Sequence, residues 1–303
     1  MRENIKVATR ESPLALRQAN IVRDHLLEKG VFKNIDIVSM TTSGDSASEK
    51  VFKSEGGKGL FLKELELALT QGKADIAVHS MKDVPAKISS KFSITSIMVR
   101  DDPRDVFISN KHSRIEDMQG GDVGSSSPRR QAILSHLGKK INVRELRGNI
   151  NTRLKKLDEE NFDAIVLAKA GLERMNLTHL ITQSLDIDTF VPAPGQGVLC
   201  IECLSKHQEI FRKIKRISDN DTEICVMAER IFAAEMDGDC LSPIGAHAIV
   251  KQGLMTLIGF VASLDGRKYI KNRVVGNKED YVLLANKLSK LFIKMGSKRM
   301  LKC

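Results

Sequence analysis

The sequence predicts two similar doubly wound α/β domains joined by a hinge, followed by a smaller α+β domain. Three observations predict it. Strand-like and helix-like segments alternate from the N-terminus, the alternation restarts after Asp101-Asp102-Pro103-Arg104, and beyond residue 220 it gives way to a long helix, three strands and a last helix. The expected domains are 1–99 with 198–216, then 104–192, then 220–303. A chain of 303 residues is too long for one ordinary core, which agrees with a division.

In the first domain Ile5–Ala8 reads as a strand, and Ser12-Pro13 as an N-cap followed by proline at the first helical position. Ala15, Ala19, Val22 and Leu26 then recur at the spacing of one buried helix face, and Gly30 supplies the stop. Ile35–Met40 is the next strand, Phe61, Leu65 and Ala68 mark a second helix, and Ala74–His79 and Phe92–Val99 are further strands. Repeated β-α-β units imply a largely parallel sheet covered on both faces. The second domain repeats the plan: strands at Asp105–Ser109, Asp122–Gly124, Ile141–Leu146 and Ala164–Ala168, with helices from Ser127-Pro128 to Leu137 and over Thr152–Glu160. Val191–Gly197 (VPAPGQG) breaks the pattern and is read as returning the chain to the first domain. The last domain is expected to hold a helix over Thr222–Met236, strands at Ala246–Val250, Leu254–Ala262 and Tyr269–Val275, and a helix over Tyr281–Met295.

The net charge of +10 admits a nucleic-acid surface, a lysine-rich solvated surface or a pocket for a polyanionic small molecule. Aromatic residues are 4% with no Trp, which disfavours binding by base stacking. MRENIKVATRESP contains no apolar h-region, and no run approaches the ~18 apolar residues of a membrane span, so a cytoplasmic chain without membrane association is expected. Of the five cysteines, Cys200 and Cys203 lie in an apolar strand-like run (VLCIEC) and read as buried; no zinc site is expected there, since two more suitably spaced ligands are missing. Cys225 reads as packing and Cys303 as terminal. Cys240 lies in a loop, Asp237-Gly238-Asp239-Cys240-Leu241-Ser242-Pro243, where a thiol is accessible. No metal centre is expected.

Ligands of open parallel sheets bind beyond the carboxyl ends of the strands. The residues there are Thr9, Arg10 and Ser12; Ser80, Met81, Lys82 and Asp83; Gly124, Ser125, Ser126, Ser127, Arg129 and Arg130; Arg147, Gly148, Asn149 and Arg153; and Lys169 and Arg174. One such arginine is ordinarily a solvated charge. Cations and hydroxyls after several successive strands point to an anion, because helix N-termini and guanidinium forks favour carboxylate or phosphate. Gly56-Gly57-Lys58-Gly59 lacks the spacing of a phosphate-binding P-loop and is a weak signal alone. His79 reads as a strand-end histidine satisfied by its neighbours. Asp83 reads either as a carboxylate that stabilises developing positive charge or as half of a salt bridge with Lys82 or a nearby arginine. Together these residues suggest an enzyme that holds an acidic small molecule in a cleft between α/β domains.

Several segments resemble the porphobilinogen deaminase (hydroxymethylbilane synthase) family: ATRESPLAL at 8–16, GGKGLFLKELE at 56–66, ADIAVHSMKDVP at 74–85, DDPRD at 101–105, SSSPRRQ at 125–131, LRGNINTRL at 146–154, PAPGQG at 192–197 and GDCLSPIGA at 238–246. The resemblance runs nearly end to end. It implies a transferase of tetrapyrrole (haem) biosynthesis that polymerises four porphobilinogen molecules, with loss of ammonia, into the linear tetrapyrrole hydroxymethylbilane. It implies a dipyrromethane cofactor joined by a thioether to Cys240, and Asp83 as the main catalytic group. By the same resemblance Lys82, Asp83, Ser125, Ser127, Arg129, Arg130 and Arg153 hold the cofactor. Arg10, Ser12, Lys58, Arg147, Arg153 and Arg174 serve incoming porphobilinogen, with Lys82, Arg10, Lys58, Arg147 and Arg153 contributing to catalysis. A monomer is implied. The sequence departs from the family at Asp239, where a glycine is usual, and at Pro128, where an apolar residue is usual but a first helical position suits proline. Two rival readings are a non-catalytic anion receptor, since two lobes and a hinge are also periplasmic-binding-protein-like, and a nucleic-acid binder. The absent leader and Cys240 weigh against the first, and the second requires steeply salt-dependent binding.

Overall fold

A computed structural model describes residues 3–42, 62–137, 140–237, 242–263 and 265–301. It divides into two units, Met1–Arg100 with Val198–Glu223, and Asp101–Gly197 with Ile224–Cys303. In chain order the first unit begins with β1 (Asn4–Arg10), α1 (Pro13–Glu28), β2 (Asn34–Met40), α2 (Lys63–Thr70), β3 (Ile76–Ser80) and β4 (Phe92–Ile97). The second unit follows with β5 (Asp105–Ile108), β6 (Gly120–Gly124), α3 (Pro128–His136), β7 (Lys140–Arg144), α4 (Ile150–Glu159), β8 (Ala164–Ala168), α5 (Lys169–Arg174) and β9 (Gln183–Ser184). The chain then supplies β10 (Leu199–Leu204) and α6 (Gln208–Lys215) to the first unit. It ends with α7 (Asn220–Glu235), β11 (Ile244–Lys251), β12 (Leu254–Ala262), β13 (Tyr269–Asn277), α8 (Tyr281–Lys294) and α9 (Ser297–Met300).

Both Ser-Pro pairs start helices as their chemistry requires. The Ser12 hydroxyl accepts from the Ala15 N–H at 3.3 Å and the Ser127 hydroxyl from the Arg130 N–H at 3.5 Å, while Pro13 and Pro128 sit where an N–H would have no partner. Ala15, Ala19, Val22 and Leu26 form the buried face of α1.

The first sheet has the order β2-β1-β3-β10-β4 and the second β7-β6-β8-β5-β9. Strands β2, β1 and β3 run parallel, as do β7, β6 and β8. The expectation of largely parallel sheets needs correction at the fourth position. There β10 is antiparallel to β3 and β4, and β5 is antiparallel to β8 and β9. Neither strand is reached through a β-α-β unit of its own sheet. Strand β10 follows the 192–197 segment and β5 follows 101–104, so the crossover rule that imposes parallel pairing does not act on them.

Each sheet is covered on both faces. On the first, Ala19, Val22 and Leu26 of α1 and Ile210 and Ile214 of α6 pack with Val7, Ile76, Val78 and Ile201, while Leu65 and Leu69 of α2 pack with Ala8, Ala77, Phe92 and Leu204. On the second, α3 covers Phe107, Val123 and Val166, and α4 with α5 covers Val106, Ile165 and Leu167. Helices α5 and α6, of six and eight residues, were not expected, because such short segments show barely two turns of periodicity. The antiparallel sheet β11-β12-β13 packs one face on α7 and α8 through Phe232, Leu257, Leu288 and Phe292. Its residues Ile258, Phe260 and Ala262 join the cluster of Phe107, Val123 and Phe190, so the second unit holds two sheets around shared apolar contacts. Cys200, Cys203 and Cys225 are buried, as the apolar sequence around them indicates. Among the described residues no helix is long and apolar enough to cross a membrane.

Candidate active site

In the first unit the parallel neighbours β1 and β3 bring Arg10, Ser12, Lys82 and Asp83 to the carboxyl end of one sheet. Arg10 is the last residue of β1, Ser12 caps α1, and Lys82 and Asp83 lie on the 3-10 turn Met81–Asp83 that leaves β3 directly. The turn is held by buried Met81, whose N–H donates to the Val198 carbonyl at 2.9 Å. Asp83 is half-buried and forms no salt bridge among the described residues, so the alternative of a pairing with Lys82 is not what the structure shows. His79 does have the neighbour expected of it: its Nε2 lies 3.0 Å from Glu202 Oε2, with both residues buried.

In the second unit β6 ends at Gly124, and Ser125, Ser126 and Ser127 lead into α3. The Ser125 hydroxyl accepts from the Ser127 N–H at 3.3 Å, and the Ser126 hydroxyl donates to the Leu146 carbonyl at 2.8 Å. Arg129 and Arg130, in the first turn of α3, are 2% and 6% exposed, and both meet Asp105, which is fully buried on β5. Arg129 Nη1 donates to Asp105 Oδ2 at 2.8 Å and to the Val191 carbonyl at 2.7 Å. Arg130 donates through Nε and Nη2 to Asp105 Oδ1 at 3.1 and 2.8 Å, and through Nη1 to the Val166 carbonyl at 3.0 Å. Burial alone would raise the Asp105 pKa, but the charges and hydrogen bonds of Arg129 and Arg130 outweigh it and hold the carboxyl well below the usual range. Gln196 Nε2 donates to the same Oδ1 at 2.9 Å.

The remaining arginines occupy three settings. Arg147 is paired through Nε with Glu145. Arg153, in the first turn of α4, donates through Nε to the Gly148 carbonyl at 2.7 Å. Gly148 has φ +112°, and a Cβ there would come within 2.7 Å of Thr152, so only glycine fits between these two arginines. Arg174 is 7% exposed and lies at the chain crossing, donating to Asp101 Oδ2 and to the Gly197 carbonyl at 2.9 Å each. Lys169 pairs with Asp102 at 2.8 Å.

Lys58 and Cys240 lie outside the described residues. The flanks of the cysteine loop are anchored, however. Glu229 of α7 is fully buried, and its carboxylate accepts from the Ala248 N–H of β11 and from the Gly195 N–H, each at 2.7 Å. Gly245 packs against the Val191 carbonyl, where a Cβ would come within 2.8 Å, and Ala246 N–H donates to the Pro192 carbonyl at 2.9 Å. Sequence reasoning assigned no role to Asp105, Gln196, Glu202 or Glu229. The signal for the first two was present in the DDPRD and PAPGQG segments, as polar residues inside otherwise apolar or turn-forming stretches.

Comparison with known proteins settles the family. The family description "Porphobilinogen deaminase, dipyromethane cofactor binding domain" matches residues 5–212, and "Porphobilinogen deaminase, C-terminal domain" matches residues 223–294. The porphobilinogen deaminase of Francisella philomiragia is 43% identical over 300 residues, covering 99% of each chain. That of Thiobacillus denitrificans is 43% identical over 298 residues, covering 98% of this chain and 97% of its own. The chain belongs to the porphobilinogen deaminase family. Among solved structures, an amino-acid transporter extracellular-binding protein of Bacillus subtilis aligns with a TM-score of 0.43 and 14% identity over 72% of this chain and 90% of that one. Within the porphobilinogen deaminase match, the cofactor-binding segment contains both five-stranded sheets and every arginine described above.

Proposed function

We infer that the chain is a porphobilinogen deaminase that joins four porphobilinogen molecules head to tail, with loss of ammonia, into hydroxymethylbilane on a covalently bound dipyrromethane. One observation carries the reading: the family's cofactor-binding segment coincides with two sheets whose carboxyl ends gather cations and hydroxyls, with a carboxylate, Asp83, that has no ion pair among the described residues.

The donor set fits a polycarboxylate such as dipyrromethane, in which each ring bears an acetate and a propionate. Arg129 Nε is buried without a hydrogen-bond partner among the described residues, so this guanidinium keeps a donor beyond those Asp105 takes. The Ser125 hydroxyl accepts one bond and retains its own hydrogen. In this reading Lys82, Ser125, Ser127, Arg129, Arg130 and Arg153 hold the cofactor's carboxylates, and Cys240 supplies the sulfur of its thioether. The bound group supplies the pyrrole carbon to which porphobilinogen units are joined. Arg10, Ser12, Lys58, Arg147, Arg153 and Arg174 orient the acid arms of incoming porphobilinogen. Asp83 accepts a pyrrole N–H through its carboxylate and offsets the positive charge that develops as ammonia leaves. Asp105 fixes the two α3 guanidiniums before any ligand arrives, so their orientation need not be established at each cycle.

The enzyme is read as a cytoplasmic monomer acting on porphobilinogen, with no nucleic-acid partner. Intact-protein mass spectrometry tests the central assignment. Active protein should exceed its polypeptide mass by two linked pyrrole units, and Cys240→Ser should lose that excess. A bare polypeptide mass from an active preparation, or an excess retained in Cys240→Ser, would overturn it.

A further inference from the structure

The turn that carries Lys82 and Asp83 has its position set by the register of β3 against β10. Leu199 lies opposite Ser80 and Cys200 opposite His79, and the Met81 N–H to Val198 carbonyl bond extends this ladder into the turn itself. On its other edge β10 is irregular: Ile201 lies opposite Ser96 but Glu202 opposite Ile94, leaving Thr95 as the extra residue of a bulge. The ladder that fixes the turn is therefore paired to a neighbour whose own register shifts at Glu202.

At that residue the sheet carries a polar pair inside an apolar face. His79 and Glu202 are diagonal neighbours across β3 and β10, within reach for long side chains, and His79 Nε2 meets Glu202 Oε2 at 3.0 Å. They are 5% and 0% exposed, beside Ala77, Leu65 and Leu69. Glu66 of α2 faces them closely enough for their charges to act on its carboxyl, and Glu202 Oε1 is buried without a hydrogen-bond partner among the described residues. Apolar residues would fill this space at no loss of stability, since buried polar pairs seldom stabilise more than well-packed hydrophobes. What the pair adds is a preferred register, because a slip of either strand separates the two groups.

We propose that His79 and Glu202 are positioning residues: their contact pins β3 to β10 beside the bulge and so fixes the Lys82–Asp83 turn for catalysis. The proposal rests on the reading that Asp83 acts on the substrate. It is tested on the cofactor-loaded enzyme with three variants, measuring melting temperature, cofactor mass, kcat and KM. Glu202→Asp keeps the charge but withdraws the carboxylate by one methylene; kcat should fall on the order of tenfold to a hundredfold, the scale of a misplaced catalytic group, with a smaller change in KM. His79→Leu with Glu202→Leu should retain the melting temperature and cofactor mass and show the same loss of kcat. Glu202→Gln, which keeps an oxygen for the Nε2–H, should restore kcat to within about threefold of the parent, the neutral acceptor being a somewhat weaker partner. A parental kcat in Glu202→Asp overturns the proposal, whether or not the double variant folds. A parental kcat in Asp83→Asn overturns instead the reading on which it rests.

Discussion

The two five-stranded sheets each place a fully buried carboxylate on the antiparallel fourth strand, and surround it differently. In the second sheet Asp105 is saturated by Arg129, Arg130 and Gln196. In the first, Glu202 meets one imidazole, and its second oxygen has no hydrogen-bond partner among the described residues. Asp83, on the turn that follows β3, has no ion pair among the described residues. The same architectural position thus has two settings: on β5 a carboxylate neutralises two buried guanidiniums from behind, and on β10 a carboxylate pairs with a single imidazole.

Removing Asp105 should break this contrast most severely. Asp105→Ala would leave two buried guanidiniums uncompensated, and stability to urea should drop by about 3–5 kcal/mol, the scale of a broken buried ion pair. A loss no larger than that of a surface substitution would show that the arginines find water or other acceptors. Asp83→Asn should do the opposite: the melting curve stays in place while kcat falls by roughly 10²–10³, the scale for loss of one preorganised electrostatic contact. Parental turnover in that variant would remove Asp83 from the chemistry.

Acid should separate the two units. Asp105 is held below its unfolded value of about 3.9, so its stabilisation is complete above that value and is lost as pH falls beneath it towards the folded one. Glu66 in the first unit is shifted upward, by burial first and then by the charge of Glu202. An acid raised in the fold is penalised when ionised, so its contribution improves as pH falls through its folded pKa. Residue-resolved hydrogen exchange from neutral pH to pH 3 should show the α3–β5 region loosening before the α2–β3 region; the reverse order would refute the assignment. The smallest effect is expected at Cys203, whose thiol is pushed up to about 11 by burial and the charge of Glu202. It should resist alkylation at pH 8 in the native protein and react once unfolded, and prompt native labelling would contradict its burial.

Much of this was legible where local chemistry decides. The serine and proline of each Ser-Pro pair act within one helical turn, so both helix starts could be read directly. The face of α1 and the buried Cys200 and Cys203 followed from spacing and apolar surroundings. The direction of β5 and β10 was not legible, because a short apolar strand has the same side-chain pattern whichever way it runs. Asp105 was seen only as part of a motif. Its partners Arg129 and Arg130 lie 24 and 25 residues away and Gln196 lies 91, and no periodicity spans such distances. Arg174 was expected to serve substrate from its place after β8, but that place does not reveal Asp101, 73 residues earlier, as its partner.

The fourth strands also set a timetable for synthesis. Among the described residues the second five-stranded sheet draws on 105–184 alone, whereas the first needs 4–204, and β4 pairs only with β10. On the ribosome, therefore, the earlier-made strands must wait, with Phe92–Ile97 unpaired, until the later-made sheet has already emerged. The N-terminal half is expected to be the last to resist protease on a nascent chain, and chains halted before Leu199 should leave it open to digestion.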